Sequence, residues 1–275
     1  MFTACIHLLL SVMTINAGSK PVPANMKPIA MPSLIPLPTS LPPVTVPGWP
    51  LKTFAPYIDI LSWPTLDISA IARTQRVLRY TLAFIVADSS KLPSWGGVIP
   101  LSQNFYATQI QNLRAQGGDV IISFGGASGQ ELGTVLNTYC QLKDAYQSVI
   151  NRYNVTWADF DIEGYSISNK TSVDIRNQAL SVIKRTNPGL KISYTLPVNP
   201  TGLTADGVYL IQSAVKYGLD LDVINLMTMD FATSLAPNGA TGMGGYAIQA
   251  ANAVYAQAQL AGLKSISIGI TPMVC

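Results

Sequence analysis

The sequence predicts an α/β fold that is built on a mainly parallel sheet. From residue 51 onward, seven short apolar runs rich in β-branched residues alternate with longer amphipathic stretches. Most of the runs are apolar on both faces, which is typical of parallel strands that helices cover on both sides. Because this strand–helix unit recurs about every 30 to 40 residues, the pattern fits either a doubly wound sheet or a (β/α)8 barrel.

The seven predicted strands can be taken in chain order. They lie within residues 54–61, 80–87, 119–126, 157–164, 191–198, 222–231 and 265–274. Helix-like segments lie between them, and two of these end at glycines that are suited to a helix C-cap, Gly117 and Gly262. A closed barrel has eight strands, so a (β/α)8 TIM barrel would either have one further strand that the pattern does not reveal or be incomplete at its C-terminus.

The N-terminal part of the chain predicts export. Residues 1–18 resemble a secretory signal peptide, with an apolar stretch that ends in small residues. Residues 19–50 are rich in proline, which forbids helix and central strand and predicts an extended linker. Residues 51–275 then form the globular domain, and we expect a secreted protein that is extracellular or associated with the cell wall.

Composition limits the possible partners. The chain is 48% hydrophobic and 11% charged, with a net charge of +3 and no basic cluster, so nothing indicates a nucleic-acid partner. We expect no membrane contact once the signal is removed, and a monomer. The cysteines are Cys5, Cys140 and Cys275, and a Cys140–Cys275 disulfide is one possibility that spacing alone does not establish.

Histidine is almost missing from the sequence, and this restricts the chemistry. The single histidine, His7, lies in the predicted signal peptide. A mature chain without histidine has no Ser-His-Asp triad, no Cys-His pair and no His-ligated zinc site. We therefore predict no metal and no cofactor, and proton transfer falls to carboxylates, tyrosine or lysine.

The segment WADFDIEGY, residues 157–165, holds the most informative pattern. Asp159, Asp161 and Glu163 alternate with apolar residues, so a strand would present all three acids on one face. A solvated strand edge, a structural carboxylate network and a calcium loop are the other interpretations. Calcium fits poorly because Lys170 stands where an EF-hand needs a bidentate glutamate. Burying three like charges is costly and usually marks a functional site.

The same segment resembles the D-x-x-D-x-D-x-E signature of family 18 glycoside hydrolases, the chitinases and their relatives. SFGG at residues 123–126 is similar to the S-x-G-G motif of that family, and NLMTMDF at 225–231 is similar to its M-x-[YM]-D motif. The resemblance runs in order from about residue 54 to residue 274. It implies a (β/α)8 barrel that hydrolyses β-1,4 links between N-acetylglucosamine units of chitin or chito-oligosaccharides.

The resemblance also implies residue roles. Glu163 would be the acid and base of a retaining, substrate-assisted reaction, Asp161 would orient the substrate acetamido group, and Asp159 would share a proton with Asp161. Further positions would support the motif or line the sugar site. Ser123, Gly125 and Gly126 are the supporting positions, and Asp230, Met227 and Met229 are the lining positions. Separately, Trp95 follows the second strand and could either stack on a sugar or anchor a loop.

The sequence departs from the family pattern at Thr156, where the signature has its first aspartate, and at Met229, where many members have tyrosine. The absent eighth strand is a third departure. Two other functions therefore stay open: a catalytically weak or silent carbohydrate-binding relative, and an endo-N-acetylglucosaminidase that acts on N-glycans.

Overall fold

The computed structural model describes residues 48–273 of the chain and confirms the predicted α/β architecture. The predicted signal peptide, most of the proline-rich tract, Cys5, His7 and Cys275 lie outside the described residues. The strands are β1 (Tyr57–Asp59), β2 (Arg79–Ala87), β3 (Pro93–Trp95), β4 (Ile99–Pro100), β5 (Asp119–Gly125), β6 (Trp157–Asp161), β7 (Lys191–Asn199), β8 (Gly202–Leu203), β9 (Val223–Met227) and β10 (Ser267–Thr271). The helices are α1 (Ile68–Gln75), α2 (Ala107–Arg114), α3 (Leu132–Val135), α4 (Tyr139–Tyr153), α5 (Gly164–Ser168), α6 (Lys170–Thr186), α7 (Ala205–Lys216) and α8 (Gly239–Ala261).

Each of the seven predicted runs contains a parallel strand. Their order across the sheet is β1-β2-β5-β6-β7-β9-β10, so every main strand lies beside its nearest parallel neighbour in the chain. The short β3–β4 hairpin adds antiparallel to β2, and β8 adds antiparallel to β7. Within residues 48–273, β1 and β10 are the outer parallel strands and do not pair with each other, so this part of the sheet is not closed.

The helix-facing side of the sheet is a continuous apolar core. Phe124 on β5 stacks on its register partner Phe160 on β6 with ring centroids 4.9 Å apart, and Tyr194 on β7 continues the row. Tyr146 of α4 packs edge-on against both phenylalanines. Because side chains alternate along a strand, this row fixes the opposite face of β6 toward the barrel interior.

A buried ion pair lies on the same helix-facing side. Glu131 pairs with Arg176 of α6, and both side chains are almost completely buried. The other carboxylate oxygen of Glu131 accepts a hydrogen bond from the Tyr146 hydroxyl at 2.5 Å. These partners offset the cost of burying the two charges and attach α4 and α6 to the β5–α3 loop. Among residues 48–273, no helix is long and apolar enough to cross a membrane.

The last residues of the proline-rich tract pack on the sheet, which corrects the predicted linker boundary at residue 50. The indole N–H of Trp49 donates to the Thr156 hydroxyl at 2.9 Å, and its ring meets Trp157 edge-on at 4.9 Å. The guanidinium of Arg79 lies 5.2 Å from the same ring. The folded body therefore includes Trp49, because an indole gains more by covering the amino ends of β2 and β6 than by remaining in solvent.

We expect Trp49→Ala to lower the free energy of unfolding by about 1–3 kcal/mol, because it removes a partly buried indole and its hydrogen bond. Urea denaturation followed by circular dichroism measures the loss. Trp63→Ala is the matched control, since Trp63 is 91% exposed and its removal should change stability by less than about 0.5 kcal/mol. Equal effects of the two substitutions would contradict a structural role for Trp49.

Candidate active site

The acids of β6 are buried, so the interpretation as a solvated strand edge is wrong. Asp159 is 3% exposed and Asp161 is 5% exposed, and both lie on the face opposite the Phe160 ring. Glu163 is half-buried and follows the strand, immediately before α5. The three acids therefore lie at the carboxyl end of a parallel strand, where barrel enzymes carry their active sites.

Four hydroxyl groups surround Asp159. Its Oδ2 accepts hydrogen bonds from Ser123 at 2.7 Å and from Tyr57 at 2.8 Å. Its Oδ1 accepts hydrogen bonds from Ser193 at 2.6 Å and from Thr195 at 2.9 Å. Burial raises the pKa of the Asp159 carboxyl above its usual range, and the four hydroxyl donors oppose that rise because they stabilise the ionised form.

Asp161 lacks the hydroxyl donors that surround Asp159. Its Oδ1 is buried and has no hydrogen-bond partner. Burial raises the pKa of Asp161 well above its usual range, and the nearby charges of Asp159 and Glu163 raise it further. Burial also raises the pKa of Glu163. Burial thus raises the pKa of all three carboxyl groups, and Asp159 differs from the other two in having four hydroxyl donors that oppose the rise.

Two glycines bring β5 close to the acids. A Cβ atom at Gly125 would lie 2.1 Å from the carbonyl oxygen of Asp161, and the φ of Gly125 is +95°. The N–H of Gly126 donates to that same carbonyl at 3.0 Å, and a Cβ atom at Gly126 would lie 2.8 Å from the Phe84 ring. Only glycine allows this close approach, so both residues adjoin the acids as the motif predicts.

The remaining predicted residues divide into two groups. Met227 and Met229 are half-buried and Asp230 is exposed, and all three lie at or just after the carboxyl end of β9, two strands away from β6. The structure does not support a sugar-stacking role for Trp95. This residue is fully buried in β3 and donates its indole N–H to the Tyr153 hydroxyl of α4 at 2.8 Å. Its ring is a core anchor and does not reach a ligand.

Several residues of the site were missed by sequence reasoning. Tyr57, Ser193 and Thr195 all contact Asp159, and Asn225 on β9 donates to Thr195. A signal for two of them was present, since Ser193 and Thr195 are polar residues two positions apart in an otherwise apolar run, like the acids themselves. Trp63, in the loop after β1, is the exposed indole at the carboxyl edge of the described sheet.

Within residues 48–273, no group of three or more His, Cys, Asp or Glu side chains has the arrangement to hold a metal ion. Cys140, at the start of α4, is an exposed free thiol among the described residues, and its predicted partner Cys275 lies outside them. The groups available for chemistry are the three acids and the hydroxyl and amide groups around them.

Comparison with known proteins adds independent information. No family model matches the chain. The catalytic domain of a hyperthermophilic chitinase from Pyrococcus furiosus is 34% identical, with a TM-score of 0.72, and the match covers 84% of this chain and 74% of that one. Endochitinase 11 of Metarhizium anisopliae is 31% identical over 241 residues, which are 82% of this chain and 46% of that protein.

A third relative, named "Probable bifunctional chitinase/lysozyme", comes from Escherichia coli K12 and is 32% identical over 200 residues. The match covers 70% of this chain and 22% of that protein, so the chain spans less than half the length of both curated relatives. The parallel α/β fold, the buried acids and these likenesses are those of a glycoside hydrolase family. The identity to the Pyrococcus domain over most of its length shows that the chain belongs to family 18, the chitinase family.

The raised pKa of Asp161 predicts a stability effect with a definite sign. The folded state holds the Asp161 proton more tightly than the unfolded chain, so wild-type stability falls as pH rises above the unfolded carboxyl pKa of about 3.9. Asp161→Asn cannot ionise. Its free energy of unfolding should therefore be close to wild type at pH 3 and should exceed wild type increasingly toward neutral pH.

Urea titrations at a series of pH values measure this difference. Asp144→Asn is the control, because it neutralises a carboxylate whose side chain is 71% exposed. A difference between Asp161→Asn and wild type that does not change with pH would contradict the predicted burial of an ionisable Asp161.

Proposed function

We propose that the chain hydrolyses β-1,4 links between N-acetylglucosamine units in chitin-type oligosaccharides. The observation that carries the proposal is the buried, unpartnered Oδ1 of Asp161 beside the half-buried Glu163. An unpaired buried oxygen is costly unless a ligand supplies a donor, and an acetamido N–H is such a donor. A Pyrococcus chitinase domain 33% identical to this chain, with a TM-score of 0.71, is described as complexed with chito-oligosaccharides, which supports this substrate class.

The proposed reaction begins with proton transfer from Glu163 to the glycosidic oxygen. Burial raises the pKa of Glu163, which favours the protonated form that this role needs. As the bond between that oxygen and the anomeric carbon breaks, the acetamido oxygen of the same sugar attacks the anomeric carbon and closes a cationic oxazolinium ring. Water then attacks that carbon, Glu163 takes the water's proton, and the ring reopens with net retention of configuration.

Asp161 and Asp159 would act on the ring that forms. Asp161 Oδ1 would accept the acetamido N–H, which orients the nucleophilic oxygen and stabilises the positive charge that develops on the ring. The hydrogen bonds described for Asp159 all come from hydroxyl groups, so its role would be electrostatic. Its negative charge favours a proton on Asp161 in the empty site.

The sugar would lie across the carboxyl edge of the sheet. Met227, Met229 and Asp230 would border the sugar from β9, and the exposed ring of Trp63 would offer it a flat apolar face from the loop after β1. Export through residues 1–18 and a monomeric state remain proposals that accompany this function.

Glu163→Gln should remove nearly all turnover, by a factor of at least about 1,000, because the amide cannot donate a proton to the leaving oxygen. Binding of a chito-oligosaccharide should persist, since the side chain keeps its size. Release of a fluorophore from a chitotriose conjugate measures turnover, and isothermal titration calorimetry measures binding. Wild-type turnover that survives in Glu163→Gln would contradict the role of Glu163.

The same assays separate the other functions. A folded wild-type chain that binds chitotriose without turnover would be a silent binding relative. Turnover on an N-glycan core but not on chito-oligosaccharides would indicate an endo-N-acetylglucosaminidase.

Trp63→Ala should raise KM for chito-oligosaccharides by about 5- to 30-fold, since loss of a stacking platform removes roughly 1–2 kcal/mol of binding. The kcat value should change little because the acids are untouched. Phe54→Ala is the control, since Phe54 is also an exposed aromatic side chain, at 73%, but it precedes β1 and so lies at the amino edge of the sheet. An unchanged KM in Trp63→Ala would remove Trp63 from the proposed sugar site.

A further inference from the structure

Two of the hydroxyl groups that contact Asp159 have a second donor behind them. The indole N–H of Trp157 donates to Ser193 Oγ at 2.9 Å. The side-chain amide of Asn225 donates to Thr195 Oγ1 at 3.0 Å. A hydroxyl oxygen that accepts a hydrogen bond on one side can still donate its own hydrogen on another side, so these donors influence where the hydroxyl hydrogens point.

Ser193 and Thr195 differ in the number of acceptors that their hydroxyl hydrogens can reach. The acceptor that the structure gives the Ser193 hydroxyl is Asp159 Oδ1, at 2.6 Å. Thr195 has two acceptors within reach, Asp159 Oδ1 at 2.9 Å and the Tyr57 hydroxyl oxygen at 2.8 Å. Tyr57 can direct its own hydrogen to Asp159 Oδ2, so its oxygen is free to accept. The Thr195 hydrogen is therefore the one that can turn either toward Asp159 or away from it.

The position of Asn225 is fixed by its neighbours. It lies in register between Thr195 on β7 and Gly269 on β10, and its amide also donates to the Thr271 hydroxyl at 2.6 Å. A Cβ atom at residue 269 would lie 2.7 Å from Asn225 Oδ1, so the glycine leaves the space that the amide occupies. The amide is thus held between two threonines in the barrel interior.

The charge state of Asp159 depends on such neutral groups. The titratable groups that face it are Asp161 and Glu163, which follow it along the chain, and Tyr57 on β1. The facing side chains of β5, β7 and β9 are the neutral Ser123, Ser193, Thr195 and Asn225. Among the hydrogen bonds described for Asp159, none comes from a cation. Small changes in hydrogen direction should therefore matter here more than at a site that a lysine or arginine neutralises.

We propose that Asn225 is a positioning residue that acts on the acid trio through Thr195. Its N–H occupies the Thr195 oxygen and leaves the Thr195 hydrogen to point at Asp159, which stabilises the negative charge there. Asn225 thereby sets the lower end of the pH range in which the trio is active. This inference deepens the proposed function and rests on it only for the activity measurement.

Asn225→Asp tests the relay, because an ionised carboxylate at position 225 accepts the Thr195 hydrogen and draws it away from Asp159. The carboxyl of Asp159 should then titrate about one pH unit higher, the value expected for loss of one charge-assisted hydrogen bond. The acid limb of kcat/KM should move upward by the same amount. Titration of ¹³C-labelled aspartate carboxyl groups by NMR in the full chain reads the first effect without any turnover.

Thr195→Val and Thr195→Ser complete the test. Thr195→Val removes the hydroxyl and should raise the Asp159 titration as Asn225→Asp does, whereas Thr195→Ser keeps the hydroxyl and should remain near wild type. In the Thr195→Val background, the further shift caused by Asn225→Asp should fall to less than half. If Asn225→Asp does not fold, Asn225→Ala replaces it, because it removes the donor to Thr195 without adding a charge, and the shift it causes should likewise fall to less than half in the Thr195→Val background.

An equal shift from Asn225→Asp in both backgrounds would mean that the new charge acts through space, and it would overturn the relay. A Thr195→Val protein that titrates like wild type would overturn it as well. If wild type shows no turnover on chito-oligosaccharides, the proposed function fails, but the NMR titration still decides whether Asn225 acts through Thr195.

Discussion

The burial of two carboxyl groups inside an apolar sheet is the constraint on which the rest of the site depends. Removing an ionised carboxylate from water costs roughly several kcal/mol unless other groups replace its hydration. For Asp159 four hydroxyl groups on β1, β5 and β7 contact its two oxygens and oppose the rise in its pKa that burial causes. Asp161 receives no such hydrogen bond at Oδ1, and burial together with the nearby charges of Asp159 and Glu163 raises its pKa well above its usual range. Two aspartates two positions apart on one face of β6 thus differ in proton affinity because they differ in neighbours.

The twofold period of a strand lets β6 serve the core and the site at once. Phe160 joins the aromatic row of Phe124, Tyr146 and Tyr194 on the helix side, while the residues on either side of it are acids that face the interior. Close aromatic packing on one face resists rotation of the strand about its axis. The positions of the carboxylates are therefore set largely by apolar contacts on the opposite face, and the glycines at the end of β5 complete the fit.

The sequence was sufficient for features that depend on local pattern. The seven strands and the inward direction of the acids follow from periodicity, and the family from short motifs in the right order. Features that depend on contacts between residues far apart in the chain could not be predicted. Trp95 is buried because it pairs with Tyr153, 58 residues away, and the short β3 strand that holds it has no periodic signal. Trp49 looks like part of a linker because its partner Thr156 is 107 residues distant.

The departure at Thr156 shows how the opposite end of β6 is stabilised. Its hydroxyl donates to Asp119 of β5 at 2.5 Å, and Asp119 pairs with Arg114 at 2.8 Å, with both side chains buried. A carboxylate is thus present at the amino end of these strands, although β5 supplies it instead of β6. That carboxylate has a cation beside it and serves the fold, because Arg114 also binds the carbonyl oxygens of Tyr153 and Asn154. At the carboxyl end the hydrogen bonds described for Asp159 come from hydroxyl groups and Asp161 Oδ1 has no partner, so these two acids lack the arginine that accompanies Asp119. Buried acids without a cation are typical of sites that transfer protons, which the proposed reaction requires.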